Sequence, residues 1–391
     1  MTKIILPLQQ HVGRPCKPIV QQGEKVKRGQ LLAIPAGLGA NLHASFTGKI
    51  SEIAETHIAI ETEQEENLTT YLPLPKNLNK LETIASAGIV GAGGAGFPTA
   101  VKLSRQLPQG VFIANGAECE ALFGHNVRLM QEEAAKLVRG IKYCMEITKA
   151  PRGFIALKEK HKDQVKALQK LVAQENNLEL FFLPDLYPEG DERVLVREIL
   201  GIELQPGQLP GEVNAVINNV ETIKHIVEAI EDGKPFIDKD LTIAGRVAKS
   251  GLVLFNVPLG TPVELLLHKA GGLIEPSGEI ILGGPMTGKT GSLTSPLLKT
   301  MGGVLVAMPF PQEKRKMGIL VCECGGSEAR LQQIAVAMGA EVVAQKLCKR
   351  MVKVQDRYRC DKPGVCPGQA GAVLELKKQG AQVLLVGSCS Q

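Results

Sequence analysis

The segment GIVGAGGAGFPTAVKL, residues 88–103, places five glycines within nine residues and then runs into Phe97, Pro98 and Lys102. Backbone this bare is a linker, a tight turn, or a loop whose N–H groups close on a phosphate or a flat ring. Gly91, Gly93 and Gly96 meet the G-x-G-x-x-G spacing, and Pro98 suits the first turn of a helix running from Thr99 to Gln106. The loop is therefore expected to be ordered. A dinucleotide fingerprint should follow a buried strand, yet LETIASAGIVG sets Leu81, Ile84, Ala85 and Ile89 at helical spacing. On its own the motif reads equally as a structural turn and as a ligand loop.

The flanking sequence supplies the context. From Leu81 to about Gly233, helical patterns alternate with the apolar runs VFIAN (111–115), GFIAL (153–157) and LELFFL (178–183), which predicts an α/β layer. Three polar clusters, NGAECE (115–120), YPEGDE (187–192) and NNVET (218–222), each follow an apolar run or open a helix. Ligands of α/β proteins sit beyond strand C-termini, so these clusters and the glycine loop are candidates for the walls of one pocket.

Residues 3–60 read instead as short β runs broken at Gly23 and Gly29, a small all-β module. It resembles the half-repeats of a biotinyl or lipoyl-type barrel-sandwich, but residues 36–41 offer no lysine for modification, so a docking or structural role is expected. After a hinge near DGKPF (232–236), the pattern strand, turn, strand, helix resembles a soluble-ligand-binding β-grasp module, with Thr261 read as the cap of a helix through His268. GGPMTGKTG (283–291) satisfies G-x-x-x-x-G-K-[ST], although Gly291 and Pro296 break the helix that should follow a phosphate loop. From Met317, strand and helix patterns alternate again in a tail that holds six of the nine cysteines.

Composition excludes several classes. Lys plus Arg exceed Asp plus Glu by only 45 to 40, with no Trp and four Tyr, so neither a basic nucleic-acid surface nor a base-stacking platform is expected. No apolar h-region or membrane-length apolar run occurs, so we expect a cytoplasmic protein without membrane insertion. Nine cysteines, an odd count, point to reduced thiols or metal ligands rather than a disulfide framework.

The strings GIVGAGGAGFPTAVKL, NGAECE, VRLM, YPEGDE, NNVET and GGPMTGK, in this order over roughly residues 3–290, resemble the RnfC component of the Rnf electron-transport complex. They are also similar to the flavin-bearing subunit of respiratory complex I. Within that superfamily the nearest look, resting partly on the cysteine-rich tail, is to the proline-reductase-associated electron-transfer proteins. The resemblance implies a multidomain α/β fold: a barrel-sandwich over 1–78, a Rossmann-like FMN-binding domain over 79–235 and a β-grasp domain over 236–292. A linker over 293–316 and a cysteine-rich α/β redox domain over 317–391 complete the expected chain.

It also implies an FMN site. Gly91, Gly93, Gly94 and Gly96 would let a ring lie against the chain, and Lys102 would meet phosphate or reduced flavin as a charge. Asn115, Asn218, Asn219 and Thr222, with Gly190, would face the isoalloxazine edge and ribityl hydroxyls. Carboxylates repel a flavin phosphate, so Glu118, Glu120 and Glu192 are assigned, with the ring of Phe97, to NADH as electron donor. Three positions depart from the complex I pattern: KLSRQ lacks its aromatic, Ala117 replaces an aspartate, and Asp191 replaces a glutamate.

The tail lacks the C-x-x-C-x-x-C-x-x-x-C-P runs of RnfC proteins, so that cluster chemistry does not transfer. VCECG, CPGQAG and LLVGSCS give a weaker likeness to small cysteine domains of heterodisulfide-reductase systems. One iron-sulfur cluster on Cys322, Cys324, Cys360, Cys366 and Cys389, or a reactive dithiol, is expected, with the cluster preferred. An end two residues past Cys389 is consistent with a truncated reading of a longer product. The expected function is flavin-dependent electron transfer from NADH through FMN to a cysteine centre and a partner reductase such as proline reductase. The alternative is a docking scaffold that has lost its cofactors.

Overall fold

In a computed structural model that describes residues 2–62, 67–323 and 325–387, the apolar runs of the middle segment form one parallel sheet. Its order is Leu178–Leu183, Arg152–Lys158, Val111–Asn115, Ala215–Asn219. Because successive side chains alternate, Phe112, Ala114, Ile155 and Val216 pack with Leu137, Ile141, Ile223 and Ile226 of the helices Ala134–Thr148 and Val220–Asp232. Val111, Ile113, Phe154 and Ile217 face the other way, onto Leu195 and Val196 of the helix Glu192–Leu200. The chain builds outward from Val111–Asn115 through two strands, then returns to lay Ala215–Asn219 on that strand's other edge. Strand order reverses there, and such a switch point leaves a crevice beyond the strand ends.

The N-terminal segment forms two antiparallel sheets closed around Ile4, Leu6, Leu32, Ile50, Ile58 and Ile60, as the barrel-sandwich pattern predicts. The third unit is a five-stranded sheet ordered Leu252–Pro258, Asp238–Gly245, Gly303–Val306, Ile280–Leu282, Lys289–Gly291, with the helix Val263–Lys269. Gly303–Val306 lies inside the segment read as a linker, yet it sits at the centre of this sheet, parallel to one neighbour and antiparallel to the other. Thr261 does not cap the helix: Pro262 holds that position, and the Thr261 hydroxyl donates to Pro258 O at 2.7 Å.

Charges buried in Asp238–Gly245 join the three units. Asp238 pairs with Arg28 of the barrel at 2.7 Å, Lys239 with Glu221, and Asp240 with Lys224 at 2.7 Å. The tail is a three-stranded parallel sheet, Val342–Leu347, Met317–Val321, Val383–Val386, with the helices Glu328–Ala337 and Ala370–Lys378. A hairpin of Met351–Val354 and Arg357–Cys360, which the sequence pattern does not predict, projects from it. No helix among the described residues is long and apolar enough to cross a membrane.

Candidate cofactor site

A cavity of about 270 Å³ lies at the switch point. Gly93, Gly94, Asn115, Glu118, Glu120, Gly190 and Asn219 from the sequence-predicted set line it, and Tyr187, Asp191, Asn126 and His125 join them. Local hydrogen bonds hold these walls together. Asn115 Nδ2 donates to Gly190 O at 3.0 Å while its Oδ1 accepts from Ala117 N at 3.1 Å, so one amide ties two loops. Asn219 Oδ1 accepts from Glu221 N at 2.9 Å and caps the helix Val220–Asp232, which turns that helix's positive end towards the cavity. Thr222 Oγ1 accepts from Ala92 N at 2.9 Å and fixes the glycine loop to the same helix end.

The glycines divide by task. A Cβ at Gly93 would stand 3.1 Å from the Asn219 side chain, so the loop approaches the strand end closely. Gly94, with φ +110°, has nothing within 4 Å of its Cβ position and presents bare backbone to the cavity. Gly91 and Gly96 close the loop on itself, Gly96 N donating to Gly91 O at 3.0 Å.

The acids are held individually. Burial pushes the Glu118 carboxyl up to about 7 despite hydrogen bonds from Asn126 Nδ2 at 2.8 Å and Glu120 N at 3.2 Å. Below that pH it is neutral and does not repel an anion. Glu120 accepts from Met286 N at 2.9 Å and Thr287 N at 3.0 Å, so the GGPMTGK loop closes on a carboxylate. The strand Lys289–Gly291 follows in place of a helix, and the phosphate-loop geometry is not formed. Asn126 Oδ1 is buried with no partner among the described residues, an acceptor open to a ligand N–H or O–H. A bare-backbone cradle, a helix N-terminus and an unpaired buried acceptor at one crevice fit a flat, phosphorylated, hydrogen-bonding group such as FMN.

Phe97, Lys102 and Glu192 lie elsewhere. They line a second cavity of about 600 Å³ on the other side of the glycine loop, with Arg105, Leu209 and Arg357. Lys102 Nζ donates to Glu192 Oε1 at 2.8 Å and Ile217 O at 2.9 Å, an ion pair facing this second space. Asn218 is on the opposite face of its strand from Asn219, beside Cys144, and Thr222 reaches the first cavity only through the loop it holds. Asn126, in the first turn of a helix just before VRLM, and Arg357, at a hairpin tip, were not singled out in the sequence, because their place beside the cavities comes from the fold.

In the tail, Cys322, Cys360 and Cys366 surround a pocket of about 10 Å³ together with Cys348, which the sequence pattern did not single out. Cys324 and Cys389 lie outside the described residues. Among the described residues no group of three or more His, Cys, Asp or Glu is placed to hold a metal ion.

The RnfC barrel sandwich hybrid domain matches residues 1–69 and the Nuo51 FMN-binding domain residues 84–228. The C component of the proton-translocating ferredoxin:NAD(+) oxidoreductase complex of Clostridium ljungdahlii is 34% identical over 78% of this chain and 70% of its own length. Its Na(+)-translocating counterpart in Acetobacterium woodii is 33% identical, over 77% and 72%. Cobalamin reductase PduS of Salmonella typhimurium is 42% identical, over 58% of this chain and 49% of its own. An NAD+-reducing [NiFe]-hydrogenase chain shares the fold, with a TM-score of 0.51 and 22% identity, over 58% of this chain and 46% of that one.

Proposed function

The chain belongs to the RnfC family, the C components of ion-translocating ferredoxin:NAD(+) oxidoreductase complexes, and on that premise we propose that it is an FMN-dependent electron-transfer protein that takes electrons from NADH. The observation that carries this reading is the meeting of Gly94, Asn115, Asn126 and Asn219 at one switch-point cavity inside the matched FMN-binding segment. FMN bound there would supply a carrier that accepts an electron pair and releases electrons singly or together. The chain's own residues do the rest. Gly93 and Gly94 admit a ring against the backbone, the N-terminus of Val220–Asp232 favours an anion, and Asn126 Oδ1 accepts a hydrogen bond. Glu118, titrating at about 7, holds or releases a proton at the cavity wall near neutral pH.

The second cavity suits the dinucleotide. Phe97 offers a ring for stacking, Arg105 and Arg357 supply cations for phosphates, and Glu192 with Lys102 supplies polar partners. The tail cysteines take the electrons onward to a partner reductase. The narrower resemblance to proline-reductase-associated proteins supports a proline reductase as that partner.

The test is spectroscopic. Anaerobically purified protein should be yellow or take up added FMN, and NADH should bleach the flavin band in a stopped-flow experiment. A colourless protein that takes up no FMN sinks the flavin reading and leaves the scaffold. Bleaching by reduced ferredoxin but not by NADH removes the nicotinamide assignment alone.

A further inference from the structure

The two matched domains end at residue 228, so the chemistry of the tail has to be read from its own residues. Cys322 follows the strand Met317–Val321, Cys348 follows Val342–Leu347, Cys360 closes the hairpin, and Cys366 precedes the helix Ala370–Lys378. The Cys348 thiol is in hydrogen-bonding contact with Cys322 and accepts from Gln369 Nε2 at 2.9 Å. Cys322 and Cys348 are buried, whereas Cys366 at the pocket's edge is exposed. Arg350 and Lys362 line the same pocket, and burial with the neighbouring Cys322 holds the Cys348 thiol above its usual range, so the pair rests as thiols.

This pocket is fastened to the first cavity. Arg193, buried in the helix that begins beside the cavity-lining Asp191, donates to Cys360 O at 2.8 Å and to Glu323 Oε2 at 3.3 Å, and pairs with Asp191 at 3.3 Å. Glu323 accepts in turn from Cys360 N and pairs with Arg359 at 2.6 Å. Gly364, which lines the cysteine pocket, lies against Pro188, which lines the cavity; a Cβ at Gly364 would stand 3.6 Å from Pro188 Cδ. Pro188 therefore stands between the cavity and the loop that lines the cysteine pocket.

We propose that Cys322 and Cys348 form a reversible disulfide, a two-electron redox site set beside the cofactor cavity. The proposal rests on the function above only for the identity of the reductant, a dihydroflavin. A dihydroflavin in the cavity would supply two electrons and two protons; taken up by the sulfurs, they break the Sγ–Sγ bond and leave Cys322 and Cys348 as thiols. In the return step a two-electron oxidant such as diamide takes up the two electrons and two protons, and the Cys322–Cys348 bond re-forms.

The full chain, purified anaerobically, is oxidised with diamide, alkylated and mapped by mass spectrometry. The expected result is a Cys322–Cys348 linked peptide that dithiothreitol removes, with Cys360 and Cys366 alkylated. In the C348S and C322S variants that peptide is lost while FMN bleaching by NADH continues at the wild-type rate. With FMN and NADH present, the wild-type linked peptide should disappear without added thiol. Absence of the linked peptide, a bridge to Cys360 or Cys366 in its place, or stoichiometric iron and acid-labile sulfide in the purified chain would overturn the proposal. Should NADH fail to bleach the flavin, the donor reading falls, and the diamide and dithiothreitol map still decides the cysteine pair.

Discussion

Glu118 carries two constraints on one proton. Its carboxyl sits in a wall where burial favours the neutral form, so its folded value of about 7 exceeds the 4.5 of the free side chain. Between these values the folded state binds more protons than the unfolded chain, and stability falls as pH rises from about 4.5 to 7. Above that range the cost of holding the ionised form is on the order of 3 kcal/mol. Glu118→Gln should therefore melt higher than wild type at pH 8 and nearly level with it at pH 5; equal melting curves at both pH values would contradict the assignment. Lys102 shows where residue-level reading of the sequence fell short. The resemblance implied a flavin contact, but the side chain turns to Glu192 and the second cavity, an orientation that linear spacing does not encode. Lys102→Ala is expected to raise the KM for NADH about tenfold, the loss of one charge-assisted bond, with FMN affinity nearly unchanged. Steady-state kinetics alongside flavin fluorescence titration separates the two.

Among elements, the strand Asp238–Gly245 is the one that local rules describe least well. Its sequence DKDLTIAG opens with three charges, yet all three are buried. Asp238 is neutralised by Arg28 of the barrel, and Lys239 and Asp240 by Glu221 and Lys224 of the helix Val220–Asp232, so the strand is specified by partners outside it. Lys224→Met would leave Asp240 buried without its cation, at a cost of about 3–5 kcal/mol. Urea denaturation should show this as a lower midpoint, partly restored in the Lys224→Met, Asp240→Leu double variant. Elements with a clean apolar period were legible: VFIAN, LELFFL and the tail strand Met317–Val321 form as their patterns predict. Gly303–Val306 was not, because a run of four residues gives too little period to read and its place comes from pairing with Asp238–Gly245 and Ile280–Leu282. The hairpin over 351–360 was missed for a related reason: Lys353, Arg357 and Arg359 interrupt its apolar residues.

At the scale of the whole molecule, that hairpin spans two sites. One end reaches the second cavity through Arg357, and the other places Cys360 at the cysteine pocket, with Arg193 anchoring it to the α/β unit. Arg357→Glu is expected to weaken NADH binding about tenfold, since a phosphate partner is exchanged for a repelling charge, while leaving FMN bound. Isothermal titration with NADH checks this, and unchanged affinity would remove the tail from the nucleotide site. Order along the chain made the candidate site partly legible, because three polar clusters followed apolar runs or opened helices and a glycine loop preceded them. That they converge at all depends on the reversal of strand order between Val111–Asn115 and Ala215–Asn219, which only the sheet reveals. The central claim is that this switch-point cavity holds FMN, and equilibrium titration of apo-protein with FMN, followed by flavin fluorescence, tests it most directly. One FMN per chain should bind to the wild type, with at least a tenfold loss in Thr300→Trp, where a large side chain on the cavity wall fills the space. No binding by the wild type, or wild-type affinity in a folded Thr300→Trp protein, would contradict it.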